Sequence, residues 1–191
     1  MTNPPKPRIY VADLAAYNAG YLRGEWLSLQ DFDGAEHLRH AIQALLDQWE
    51  KEPLDGLCGP IEEFRIDDHE GIPSCLIPRH GGLDADKVMA YVRLCESKKL
   101  GAAMAFIEAE FHRGAPPEEW LQEFQERYLG TFSSLEEWAR RHLESTGLFS
   151  EVPKAIERYF DFEAYARDAR LGGDVVVVDK GIDEKHVFLG H

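Results

Sequence analysis

Short strand-like segments alternate with helix-like segments along this chain, and that alternation constrains its fold more than any other feature. In the first third, the segments rich in β-branched and aromatic residues are 8–14, 24–29 and 61–68. Between the second and third of these, apolar residues recur at helical spacing over residues 35–51, and a proline follows. Three short strands and one amphipathic helix predict a small α+β domain over residues 1–72.

Residues 73–127 predict a helical middle domain. Asp84 can cap a first helix, and residues 100–112 form a second, alanine-rich helical segment. Pro116 is placed to open a third helix, since proline suits the first helical turn and the acids that follow suit its positive end. The stretch 71–82, rich in proline and glycine, is predicted to be a linker or an ordered loop.

Residues 128–191 predict a small sheet with helices. A short strand comes first, and we assign the capping box of the next helix to Ser133 and Glu136. A later helix begins at Asp161, and the chain closes on two apolar segments that predict a hairpin around Lys180-Gly181. The predicted fold class is therefore α+β: an elongated chain of three small domains, with a three-stranded N-terminal sheet and helix, a helical middle, and a small C-terminal sheet with helices.

Composition excludes several classes of protein. With 44% apolar residues the chain can bury a core, and its longest uncharged apolar run, 100–107, is too short to span a bilayer. The start of the chain lacks the apolar core of a signal peptide, so we expect a soluble, cytoplasmic protein. Cys58, Cys75 and Cys95 lack CxxC spacing and predict reduced, mostly buried thiols, with neither a disulfide framework nor a zinc site.

Familiar catalytic motifs are missing from the sequence. It contains no glycine-rich phosphate-binding loop of the GxGxxG or GxxxxGK[ST] type and no GxSxG nucleophile elbow. The most enzyme-like cluster is Asp67-Asp68-His69-Glu70, which offers hard oxygen ligands and an imidazole. A metal-dependent hydrolase that uses Asp67 and His69 is one alternative, although a solvated strand end explains the cluster as well. His37 and His40, three residues apart on the first long helix, lack an evident third ligand.

The chain is strongly acidic: 35 Asp and Glu against 21 Lys and Arg give a formal charge of −14. Some acids pair locally, because Glu136 and Glu137 each precede an arginine by four residues. Others lie in like-charged rows, as on the predicted strand around Glu63 and at Glu119, Glu123 and Glu126. The acids that we predict to be unpaired, and to form a partner-binding surface, are Glu25, Asp31, Asp33, Glu62, Glu63, Asp67, Asp68, Glu70, Glu108, Glu110, Glu118, Glu119, Glu123, Glu126, Glu151 and Glu157.

The amount of charge can be compared with that of nucleic acid. Duplex DNA carries about one charge per 1.7 Å of axis, so 35 carboxylates match roughly 60 Å of duplex and 14 net charges roughly 24 Å. Small domains in a row reach that length, and an elongated protein with this charge can imitate DNA electrostatically. The same acidity also fits a protein that is acidic only for solubility, or a generic acidic adaptor that binds a basic protein.

An ordered set of segments resembles the ArdA antirestriction proteins from residue 7 to the end of the chain. The segments are RIYVADLAAYNAG (8–20), GEWL (24–27), the acidic stretch 62–71, LGAA (100–103), YLGTF (128–132), SLEEWA (134–139), YFDFEAYARD (159–168), GGDV (172–175) and HVF (186–188). No single segment is diagnostic, but their order is specific. The joint after the first domain, 72–82, matches least well.

The resemblance implies a DNA mimic that blocks Type I restriction–modification enzymes. It implies three small domains in an extended, curved arrangement, a homodimer, no cofactor, no catalysis, and no direct binding of nucleic acid or membrane. The expected partner is the methyltransferase core, whose DNA-binding groove the protein would occupy, and such proteins are carried by mobile genetic elements. Tyr159, Phe160 and Phe188 are our candidates for the dimer interface, with core packing as the alternative.

Overall fold

The computed structural model describes residues 6–54, 63–78, 82–97, 100–149 and 152–190. The chain divides into two compact units, which we describe separately. The first comprises Met1–Met104 with Pro116–Trp120, and the second comprises Ala105–Ala115 with Leu121–His191. The fold class is α+β, as predicted, with one three-stranded sheet in each unit. The division into three domains ending at residues 72, 127 and 191 stays a prediction.

The first unit contains an antiparallel sheet of order β2-β1-β3. Its strands and complete helices are β1 (Arg8–Asp13), α1 (Leu14–Asn18), β2 (Gly24–Ser28), α2 (Ala35–Lys51), β3 (Phe64–Glu70) and α3 (Ala85–Ser97). Ile9 and Val11 on the central strand are fully buried. The periodicity of α2 is confirmed, because its predicted apolar stripe from Leu38 to Trp49 is buried and the helix packs against α3.

Strand β3 differs from its prediction. It begins at Phe64 and continues to Glu70, two residues past the predicted end, while residues 61 and 62 lie outside the described residues. Tyr10 pairs with Asp68 but Val11 pairs with Ile66, so Asp67 is an extra residue in a β-bulge. A bulge depends on pairing with β1, which the local sequence does not reveal.

The described part of the stretch 71–82 is an ordered loop. Ile72 and Leu76 are buried, and the Tyr91 hydroxyl donates a hydrogen bond to the carbonyl oxygen of Gly71 at 3.1 Å. Cys75 in this loop is exposed, so the prediction of a buried thiol is wrong there. Cys95 is half-buried, and burial raises the pKa of its thiol to about 11. Cys58 lies outside the described residues.

The second unit contains an antiparallel sheet of order β4-β6-β5. Two helices have residues in both units, α4 (Leu100–Glu108) and α5 (Trp120–Arg127). The remaining elements are β4 (Tyr128–Phe132), α6 (Leu135–Ser145), α7 (Lys154–Glu157), α8 (Phe162–Gly172), β5 (Val175–Gly181) and β6 (Glu184–Leu189). In the part of the chain that the structure describes, no helix has the length and apolarity needed to cross a bilayer.

The core of the second unit has two parts. Helices α6 and α8 pack together through residues such as Trp138 and Phe162, with Val187 of the sheet in the same cluster. A separate aromatic group surrounds the fully buried Phe188, whose ring centre lies 6.1 Å from that of Phe124. Phe188 is therefore a core residue, which confirms core packing, the alternative given for it, and removes it from the candidates for the dimer interface. Tyr159, by contrast, is 77% exposed.

Two helix boundaries in the second half need correction. The cap of α6 is Ser134, whose hydroxyl accepts a hydrogen bond from the Glu137 N–H at 3.0 Å, so our assignment to Ser133 and Glu136 is one residue early. The Glu137 carboxylate accepts in turn from the Ser133 N–H at 2.8 Å. Helix α4 ends at Glu108, short of the predicted residue 112. The predicted cap at Asp161 is confirmed, since its carboxylate accepts from the Ala164 N–H at 2.8 Å.

Candidate partner-binding surface

Most of the predicted acids lie on the surface. Glu62 and Glu151 fall outside the described residues. Three are half-buried: Glu70, Glu123 and Glu157. The exposed acids are Glu25, Asp31, Asp33, Glu63, Asp67, Asp68, Glu108, Glu110, Glu118, Glu119 and Glu126. Exposure alone does not decide whether an acid is available, because many exposed carboxylates have a cation beside them.

On the sheet of the first unit, two of the predicted acids are neutralised. The Arg8 guanidinium donates two hydrogen bonds to Glu70, at 2.9 Å and 2.7 Å, and these bonds lower the pKa of that carboxyl. Arg65 pairs with Asp67 on the same strand. The prediction that Glu70 and Asp67 are unpaired is therefore wrong.

Three acids of the second unit are also paired. Glu110 lies 3.0 Å from Arg113, Glu123 pairs with Arg127, and Glu108 pairs with Lys180. Two of these pairs are local, at i,i+3 and i,i+4, and their spacing could have been found in the sequence. The Glu108–Lys180 pair joins residues far apart in the chain, so no local pattern predicts it.

The row predicted at Glu119, Glu123 and Glu126 does not form on one helix. Glu119 ends a 3₁₀ turn over Pro117–Glu119, and α5 begins at the next residue. On α5, Glu126 accepts a hydrogen bond from the Gln122 side chain at 2.8 Å and has no ion pair within the described residues. The predicted pairs on α6 are confirmed, with Glu136 3.3 Å from Arg140 and Glu137 2.6 Å from Arg141.

A subset of the acids remains without a cationic partner among the residues that the structure describes. Asp33 is an intermediate case, because its carboxylate lies 3.8 Å from His37 Nδ1, a contact that is ionic only when the imidazole is protonated. Of the predicted acids, those with no ion pair among the described residues are Glu25, Asp31, Glu63, Asp68, Glu118, Glu119, Glu126 and Glu157. They occur in both units and form the candidate surface, which we call the free acids.

The enzyme-like cluster of β3 does not converge. The bulge makes Asp67 and Asp68 both exposed, whereas His69 is in register with the buried Ile9 and so faces the other side of the sheet.

His37 Nδ1 accepts a hydrogen bond from the Asp33 N–H at 3.4 Å. In the described ranges, no group of three His, Cys, Asp or Glu side chains is placed to hold a metal ion. His142, on the apolar stripe of α6, stacks on Trp138 with ring centres 5.3 Å apart.

A buried ion pair in the first unit has no counterpart among the sequence predictions. Asp13 is fully buried at the end of β1, and Arg23 Nε donates a hydrogen bond to its carboxylate at 2.8 Å. Asp13 also accepts from the Ala16 N–H at 3.0 Å and so caps α1. The sequence pattern predicted a strand that runs through Asp13. The one local signal for its role as a helix cap was that an acid directly precedes Leu14, the first residue of α1.

A family model described as antirestriction protein (ArdA) matches residues 9–184, nearly the whole chain. The match runs from the second residue of β1 to the first residue of β6, and it includes every acid of the candidate surface. None of the curated proteins compared with the chain matches it.

Proposed function

Since the chain belongs to the ArdA antirestriction family, we propose that it is a DNA mimic that binds the DNA-binding groove of a Type I restriction–modification enzyme. It inhibits by occupying the groove of the methyltransferase core in competition with DNA, and not by catalysis. It acts in the cytoplasm, requires no cofactor and binds neither nucleic acid nor membrane directly.

One observation carries this proposal: acids without ion pairs persist on the surface of a chain that pairs many of its other acids. Glu25, Asp68 and Glu118 belong to the first unit, and Glu126 and Glu157 to the second. An unpaired, exposed carboxylate adds self-repulsion and contributes little to folding. Unpaired carboxylates in both units are expected of a protein that must bind a basic groove through its negative charge.

The physical basis of inhibition is the same as that of DNA binding. A groove built of Lys and Arg side chains gains free energy when its anionic partner replaces diffuse counterions, and the affinity then falls steeply with salt. A fixed array of carboxylates can draw on the same gain. Paired acids such as Glu136 contribute less, because Arg140 already neutralises part of their field.

The experiment that tests the proposal is competition with duplex DNA for a purified Type I enzyme, measured from about 50 to 200 mM salt. We expect displacement of DNA and a steep fall of the inhibitor's affinity with salt. A protein that leaves DNA bound, or whose affinity is flat across this range, contradicts the mechanism.

Matched variants separate the free acids from net charge. Asp68→Asn, Glu118→Gln and Glu126→Gln together remove three free acids, and the slope of log affinity against log salt should fall by about 0.9 for each acid that replaces a phosphate. In the control, Glu36→Gln, Glu136→Gln and Asp168→Asn remove the same charge from acids that pair with Arg39, Arg140 and Arg167. Equal losses in both triple variants would assign inhibition to net charge alone.

Homodimerisation is part of the same proposal. Ile156 and Tyr159, on and just after α7, are 59% and 77% exposed, so two large apolar side chains close in the chain face solvent there. We assign the interface to this part of the second unit, with the half-buried Phe160 beside it. Light scattering should give the mass of two chains for the wild type and of one chain for Tyr159→Asp. A monomeric wild type would contradict the proposal of a homodimer.

A further inference from the structure

The second unit has an open cleft of about 430 Å³ between the loop that precedes α8 and the first two turns of α6. Part of its lining is aromatic, because it includes the buried Phe162 and the half-buried Phe160, whose ring centres lie 4.9 Å apart. The rest of the lining is charged and has both signs: Glu136, Arg140, Arg158, Asp161 and Glu163.

Three of these charged groups already have partners within the chain. Glu136 lies 3.3 Å from Arg140, whose guanidinium carbon also lies 4.1 Å from the ring centre of Phe162. The Asp161 carboxylate accepts a hydrogen bond from the Ala164 N–H and so caps α8. These contacts hold the walls of the cleft in place and leave Arg158 and Glu163 as the groups that can pair with something outside it.

Arg158 and Glu163 are both exposed, and neither has an ion pair among the described residues. Arg158 donates one hydrogen bond to the Tyr159 hydroxyl at 3.2 Å, and a guanidinium has further N–H groups to donate. Arg167, four residues after Glu163, could have paired with it but lies 3.0 Å from Asp168 instead. The cleft therefore presents one cation and one carboxylate that are not paired with each other.

The kind of partner that fits the cleft follows from its charge and its apolar border. Tyr159, next to Arg158, is 77% exposed, and the nearby Ile156 is 59% exposed. A basic groove disfavours an exposed arginine, because like charges brought together across an interface reduce affinity. A second copy of this chain, with a charge of −14, is repelled by a purely acidic surface but can bind one that also carries a free cation.

We propose that a second copy of the chain docks on this cleft, with Arg158 of each copy paired with Glu163 of the other. A two-fold axis sets the same patch of both copies face to face. A patch that carries a cation and an acid at separate positions therefore matches itself, and the exposed Tyr159 ring beside it is buried in the contact. The inference rests on the homodimer of the proposed function and deepens it, since it assigns the side chains by which two acidic chains recognise each other.

Charge reversal tests the pairing. Arg158→Glu sets acid against acid and Glu163→Arg sets cation against cation, and the symmetry repeats each repulsion. Sedimentation equilibrium should show the dimer dissociation constant raised about ten- to hundredfold in each variant. An equal mixture of the two variants should dimerise with near wild-type affinity, because both contacts of the mixed dimer join opposite charges. The control Arg113→Glu makes the same charge change at an exposed arginine outside the cleft and should dimerise like the wild type.

Unchanged dissociation constants in both reversed variants, or a mixture that stays monomeric, overturn the proposal. Arg158→Gln and Glu163→Gln remove each charge without creating a repulsion and guard against a folding defect. Each should weaken the dimer about threefold, and wild-type affinity in both also overturns the pairing. A monomeric wild type contradicts the homodimer of the proposed function as well. A dimer that shows the expected charge effects but leaves DNA bound to the Type I enzyme contradicts only the proposed function.

Discussion

Each of the two sheets buries one titratable side chain on its central strand. The two sheets differ in what offsets the free-energy cost of that burial. Asp13, at the end of β1, is fully buried and forms an ion pair with Arg23. His186, on β6, is 2% exposed and has no arginine or lysine partner of its own within the described residues. One sheet therefore relies on a compensated charge, and the other on keeping a titratable group neutral.

The surroundings of His186 fit this difference. Its Nδ1 lies 3.0 Å from the Tyr128 hydroxyl and 3.3 Å from that of Thr131, and its Nε2 lies 3.2 Å from a Glu184 oxygen. Burial is the main cause that lowers the pKa of His186, and Glu184 opposes it. The first sheet should thus respond most to loss of a partner, and the second to pH.

The largest effect is expected from Arg23→Met, which leaves Asp13 buried without its cation. Removing one member of a buried pair typically costs about 3–5 kcal/mol. Urea unfolding should show this loss, and hydrogen exchange should locate it in β1 and α1.

The matched control is Asp13→Asn with Arg23→Met. The amide keeps an oxygen to accept from the Ala16 N–H and removes the uncompensated charge, so this double variant should recover part of the stability. If the single and double variants are equally stable, the charge of Asp13 is not what Arg23 compensates.

A smaller effect is expected from pH acting on His186. The free imidazole has a pKa of about 6.5, and the folded state lowers it, so the unfolded chain binds a proton first as pH falls. Stability is therefore full above about pH 6.5 and decreases below it until the folded pKa is reached, by at most about 1.4 kcal/mol per pH unit. His186→Gln should flatten this part of the stability profile relative to the wild type.

The groups that face His186 shape that profile and provide its control. Glu184 and Glu108 raise the pKa of His186, whereas Lys180 lowers it. Glu184→Gln should therefore widen the pH range over which stability falls. An identical slope in the wild type and His186→Gln between about pH 6.5 and 5 would show that carboxylates alone govern acid unfolding.

Much of the fold followed from local sequence, because the signals were periodic and close in the chain. The stripe of α2 from Leu38 to Trp49 and the cap at Asp161 needed only neighbours within a few residues. The bulge at Asp67 and the pair of Asp13 with Arg23 depend on contacts that the chain makes only after folding. Sequence patterns do not contain that information.

For the candidate surface, too, one property could be predicted from the sequence and another could not. Exposure of acids such as Glu118 and Glu126 could be predicted, since charged residues are rarely buried unpaired. Their availability could not, because Glu70 is neutralised by Arg8, and Glu108 by Lys180, across long separations in the chain.

The smallest of these effects is expected from Tyr128→Phe, which removes a hydroxyl beside His186 and leaves the ring in place. The Tyr128 hydroxyl also lies 2.7 Å from the Thr131 hydroxyl, so the variant deletes its hydrogen bonds to both Thr131 and His186 but leaves Thr131 as a partner for the imidazole. We expect a loss of about 1 kcal/mol in the free energy of unfolding, with the pH dependence retained. Tyr128→Phe in the His186→Gln background should cost less than in the wild type, because the two groups interact. Additive losses would mean that the hydroxyl stabilises β4 independently of the imidazole, and the neutral state of His186 would then rest on burial alone.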